Sequence, residues 1–80
     1  MKAALLIEIE AERRRQDTLW GGRAHDDEHD ENDWVAYIVD HAESSTAIHG
    51  DFRTEMIQLT ALAVAAIESH DRLNRKRRKR

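Results

Sequence analysis

Asp51–Arg72, DFRTEMIQLTALAVAAIESHDR, decides how this chain is read. Advancing about 100° per residue, it lays Phe52, Met56, Leu59, Leu62, Ala63, Ala66 and Ile67 along one side of a helix. Ile57 and Val64 fall behind that stripe, so the segment is apolar almost all round between Leu59 and Ile67. A helix with two apolar faces needs cover on both sides. Glu55 projects into the stripe between Phe52 and Leu59, and Gln58 sits on its edge. A charge facing a core is costly unless it is paired or holds a metal. Glu55 therefore reads as employed; a first-turn carboxylate favoured by the helix N-terminus is the plainer alternative.

Working outward, Lys2 to about Leu19 reads as a first helix, with Leu5, Ile9, Leu19 and Trp20 as its stripe and Glu12 and Gln16 on the same face. Gly21 and Gly22 end it, because glycine accepts the left-handed conformation that stops a helix. Arg23–Asp33, RAHDDEHDEND, is polar enough to read as a loop. Asn32 or Asp33 can cap a second helix from Trp34 to about Ile48, whose core face is Trp34, Val35, Ile38, Val39 and Ala42. His49–Gly50–Asp51 turns the chain, and Asp51 caps the third helix.

The 80 residues allow one domain. We expect an all-α, three-helix protomer over residues 1–71 that is too small to cover its third helix alone and completes a helical bundle by homo-oligomerisation. The absence of cysteine excludes a disulfide framework, a Cys-based zinc site and a thiol nucleophile. Glu8 and Glu10 break the opening apolar run too early for a signal peptide, and no stretch approaches the ~20 apolar residues a bilayer needs. A cytoplasmic location and no membrane partner are expected. No Ser-His-Asp, P-loop or Rossmann pattern occurs.

Charge is divided unevenly. Residues 72–80, RLNRKRRKR, carry seven basic groups and no acid, leaving 6 basic against 16 acidic groups in the first 71. Such a run reads as a disordered tail with attraction for nucleic acid or another polyanion, but without base readout. His25 and His29 stand four apart with acids between them, which on a helix would be a metal-ligand spacing; in a loop they read as solvated.

Asp40 and Glu43 form an i,i+3 pair on the second helix, readable as solvated surface. If the helices pack on their stripes, Glu12 and Gln16 can approach Glu55 and Gln58. Carboxylates on adjacent helix faces suit Mg²⁺ or Mn²⁺, which could neutralise a phosphate chain and activate a water. Trp20 could stack on a base or plug the core.

ERRRQDTLWGG…H at Glu12–His25, a carboxylate-bearing helix, and EMIQLTALAVAAIE at Glu55–Glu68 together resemble the small MazG-like proteins of phages and bacteria, all-α nucleoside triphosphate pyrophosphohydrolases. The resemblance spans roughly residues 7–72. It implies Mg²⁺-dependent cleavage of a (d)NTP to the monophosphate and pyrophosphate. It also implies a metal site on Asp40, Glu43, Glu55 and Gln58, with Glu43 and Glu55 catalytic, and a nucleotide wall of Glu12, Gln16 and Trp20. Asp40–Glu43 stands where the family has ExxE, and Glu55–Gln58 where it has ExxD. Gln58 supplies an oxygen but no charge, which favours the alternative of a non-catalytic protein that sequesters or senses a nucleotide. A structural helical oligomer with a nucleic-acid-binding tail is a third reading.

Overall fold

The computed structural model describes residues 1–78. They form four helices, α1 (Ala3–Trp20), α2 (Gly22–Asp26), α3 (Glu31–Ser44) and α4 (Phe52–Arg78), with no strand among the described residues. The chain is all-α, as its sequence implies, with one helix more than expected. None of the helices is long and apolar enough to cross a membrane.

At about 1.5 Å per residue, α4 is roughly 40 Å long and forms the spine of a body measuring 48 × 28 × 23 Å. α1 and α3 both pack on it but do not meet each other. α3 runs antiparallel to α4: Trp34 packs on Leu62 and Ala65, while His41 reaches back to Glu55. α1 runs in the same general direction as α4. Arg53 grips Glu8 through two hydrogen bonds of 2.8 and 2.6 Å, and further along Arg13 bonds Glu68.

The buried side of α4 follows the stripe its sequence suggests only in part, sharing Leu62 and Ala66 with it. Its most enclosed residues are Ala61, Leu62, Ala65 and Ser69, all at 4 % exposure or less. Phe52 and Ile67, at the two ends of the expected stripe, are 60 % and 62 % exposed. Small residues let two helix backbones approach one face of α4 closely, so that face wins over the bulkier one. Within the protomer the enclosed apolar set is only Ile9, Trp34, Ala61, Leu62 and Ala65. Burying Trp34 and Leu62 contributes about 1.5–3 kcal/mol each.

Local signals account for the helix ends. Gly21 closes α1 at φ 106°, its N–H donating to the Asp17 carbonyl at 2.9 Å. The chain then re-enters a helix at Gly22 instead of looping. α2 is pinned to α4 through Asp27, which accepts from Arg72 Nη2 and from Ser69 Oγ, both at 2.8 Å. Asp30, rather than Asn32 or Asp33, caps α3: its Oδ1 accepts from the Asp33 N–H at 2.8 Å, and Asp33 Oδ2 accepts from the Asp30 N–H at 3.0 Å. This reciprocal box advances the helix start to Glu31. α3 stops at Ser44, earlier than Ile48, where Ser45 Oγ donates to the Ala42 carbonyl at 2.6 Å. A Cβ on Gly50 would overlap the Ser44 carbonyl oxygen, so only glycine fits that turn. Asp51 caps α4, accepting from the Thr54 N–H at 3.2 Å.

α4 continues through Arg78, so most of the segment read as a free basic tail extends the helix. Arg72 belongs to the fold through Asp27. The part of the tail reading that falls on residues 79–80 lies outside the described residues.

Candidate functional site

Because α1 and α3 flank α4 without touching, a cleft of about 250 Å³ opens between them, floored by Leu62 and Ala65. α1 contributes Gln16, Asp17 and Trp20, and α3 contributes Trp34, Tyr37, Asp40 and His41. α2 and the residues after it close one end with His25, Asp26 and His29. The short α2 therefore decides the site, because it turns a polar run toward the cleft.

Aromatic rings follow one another around this end. Trp20 and His25 lie near-parallel, 6.4 Å apart at 26°. His25 meets His29 edge-on at 4.6 Å, and His29 contacts Trp34 at 5.2 Å and Tyr37 at 5.3 Å. Both tryptophans of the chain thus line one cleft, although Trp34 is buried and Trp20 is 44 % exposed. Flat π-faces of this kind hold flat ligands or cations.

Polar groups here are under-satisfied. His25 Nδ1 and His29 Nε2 are buried and have no hydrogen-bond partner. Asp26 is only 9 % exposed, and the neighbouring imidazole nitrogen, His25 Nδ1, stands 3.7 Å from Oδ1, beyond hydrogen-bond reach. Burial pushes the Asp26 carboxyl above the ordinary aspartate range, and the like charge of Asp17 adds to it, partly offset by His25 and Arg13. Unsatisfied buried groups are rare in folded chains, and a cleft lined by them is set up to receive donors from elsewhere.

A second cluster joins the helices at the other end. Gln16, buried at 5 % exposure, donates through Nε2 to Glu12 Oε2 at 2.9 Å and to the Gln58 carbonyl at 3.2 Å. Arg15 forks onto Glu12 with bonds of 2.7 and 2.6 Å. Those bonds hold the Glu12 carboxyl below the usual range against the cost of burial, with lesser help from Gln16 and the charge of His41. Across α4, His41 Nδ1 lies 2.6 Å from Glu55 Oε2.

Of the residues singled out in the sequence as candidate site residues, Gln16, Trp20 and Asp40 line the cleft, as do His25 and His29. Glu12 supports Gln16. Gln58 meets Gln16 through its backbone carbonyl rather than its side chain. Glu55 is occupied by His41, and Glu43 is exposed on α3. Among the described residues no three His, Asp or Glu side chains are arranged to hold a metal ion. Asp40, Glu43 and Glu55 are not gathered into such a group among the described residues. Asp17, Asp26 and Tyr37 also line this cleft, and sequence reasoning passed over their roles; His41, beside Asp40 in the chain, lines it too. The i,i+4 histidines around Asp26 were the available signal, discounted because the segment reads as a loop.

Comparison with protein-family models, curated proteins and solved structures found no match.

Proposed function

We propose that this protein binds a nucleotide, seating the base and sugar in the cleft between α1 and α3, without turning it over in the protomer. The observation that carries this reading is the ring-walled cleft itself, where Trp20, Trp34 and Tyr37 converge with carboxylates and unpartnered imidazoles. Bases stack on aromatic side chains regardless of sequence, and their edges supply donors and acceptors. Among the described residues the lining holds no lysine or arginine, so it suits a base better than a phosphate chain. The MazG-like resemblance points to the same ligand class.

The resemblance also implies Mg²⁺-dependent pyrophosphohydrolysis, which needs Asp40, Glu43, Glu55 and Gln58 to converge. The His41–Glu55 contact and the exposure of Glu43 favour binding without hydrolysis. One experiment separates the readings. Purified protein is given Mg²⁺ or Mn²⁺ and each (d)NTP; retained nucleotide, monophosphate and pyrophosphate are measured. Retention of intact nucleotide supports the binding role. Release of pyrophosphate, lost in Glu55→Gln, would establish the enzyme instead. Absence of both retention and release would end the nucleotide reading.

The protein acts in this reading as a homodimer. Phe52, Met56, Leu59, Ala63 and Ile67 recur at intervals of three and four along the back of α4, the pattern of a helix–helix seam. The chain exposes 6084 Å², whereas a compact monomer of 9.3 kDa exposes about 5,000 Å². The excess is comparable to the roughly 800 Å² each partner loses in a standard interface.

A further inference from the structure

We propose that Asp26 reads the bound base and selects the guanine edge, in which a ring N–H and an exocyclic NH₂ lie side by side. This rests on the nucleotide reading above.

Asp26 is largely enclosed, lines the cleft and, among the described residues, accepts no side-chain hydrogen bond within 3.5 Å. A buried carboxylate in that condition is costly, and donors brought by a ligand would offset the cost. An ionised carboxylate accepts two parallel N–H bonds, and such paired bonds are the strong ones. Guanine N1–H and N2–H₂ form that pair. Adenine and cytosine offer one amino group beside a ring acceptor, and uracil offers one N–H between two carbonyls. Each of those edges turns a lone pair toward the carboxylate.

The surroundings agree with an acceptor-reading pocket. Asp17 and Asp40 add further acceptors to the lining. The amide of Gln16, which could have donated, is already committed to Glu12 and the Gln58 carbonyl. The near-parallel pair of Trp20 and His25, beside Asp26 in the chain and in the cleft, offers the ring faces on which such a base would lie. A base stacked there meets Asp26 edge-on, so stacking holds any base and Asp26 chooses among them.

Titration calorimetry on the full chain tests this with GMP, IMP, AMP, CMP, UMP and XMP, and with agmatine, whose guanidinium carries the same donor fork without a base. GMP is expected to bind on the order of 10- to 100-fold more tightly than AMP or UMP. IMP lacks only the 2-amino group and should lose about 10-fold against GMP, a comparison that needs no variant. Asp26→Asn should move the preference from GMP to XMP, because the amide can donate to the carbonyl that replaces the 2-amino group. Equal binding of all bases, or a GMP preference untouched by Asp26→Asn, would overturn the role of Asp26 and leave the nucleotide reading standing. Binding of agmatine with no nucleotide bound, or no binding at all, would overturn both.

Discussion

His41 Nδ1 and Glu55 Oε2 are 2.6 Å apart, joining the last turns of α3 to the first turn of α4 across the bend that separates them. The pair is half-buried, at 27 % and 22 % side-chain exposure, so it is partly shielded from solvent. Glu55→Gln keeps an acceptor for the imidazole and should cost less than about 1 kcal/mol, while Glu55→Ala strands His41 and should cost about 1–2 kcal/mol. Thermal melts compare the two, with about 1 kcal/mol moving the midpoint by roughly 4–8 °C in a domain of this size. Equal midpoints for both variants would mean the contact does not hold the bend.

Acid should weaken the fold through Asp27. Its carboxyl is held below the ordinary range, chiefly by the Arg72 hydrogen bond and then by Ser69. A depressed carboxyl stabilises the fold above its unfolded value of about 3.9 and loses that contribution as pH falls through the folded value. Asp27→Asn should therefore be less stable than the parent by about 1 kcal/mol at pH 7, with the gap closing below pH ~4. Urea titrations at pH 7 and pH 3 measure both gaps, and a gap independent of pH would contradict the assignment.

Asp26 should behave in the opposite sense. Its carboxyl is raised by burial, so ionisation opposes folding and protonation relieves the cost. Asp26→Asn is expected to melt higher than the parent at pH 7, with the advantage shrinking as pH drops through the raised value. A lower midpoint at neutral pH would mean that the carboxylate has a structural partner instead.

Ile67→Glu tests the seam on the back of α4. Ile67 is 62 % exposed in the protomer, so the substitution should leave helicity intact. Light scattering after gel filtration should report a dimer for the parent and a monomer for the variant. A monomeric parent at tens of micromolar would rule the seam out as a stable interface.

Glycine substitutions should rank by space as well as by dihedral. Gly21 holds a left-handed φ of 106°, where an added Cβ would make only ordinary contact with the His25 Cβ at 3.5 Å, and Gly21→Ala should cost about 1 kcal/mol. At Gly50 the added methyl collides with backbone, so Gly50→Ala must shift the α3–α4 bend and should melt lower than Gly21→Ala. Circular dichroism melts of the two variants give the order.

The helical class was legible because Gly21, Asp51 and the Trp34 face each carry a strong local signal. The rotation of α4 was not. Periodicity weights bulky residues, so it pointed to Phe52 and Ile67, whereas the protomer packs on Ala61, Ala65 and Ser69. Glu55 stood out as a carboxylate on an apolar side, and it is paired; the partner, His41, could not be found without knowing how α3 lies on α4. α2 escaped notice because its stabilising contacts, Asp27 with Arg72 and Ser69, join residues more than forty positions apart. Asp26 was hidden with it.

That α1 and α3 both pack on α4, with no direct backbone contact between them, also orders events during synthesis. Until the segment after Gly50 leaves the ribosome, the earlier helices have neither a common core nor the anchors supplied by Arg53, Glu68 and Arg72. The emerging chain must remain a set of fraying, separate turns, and folding becomes a single late collapse onto the spine.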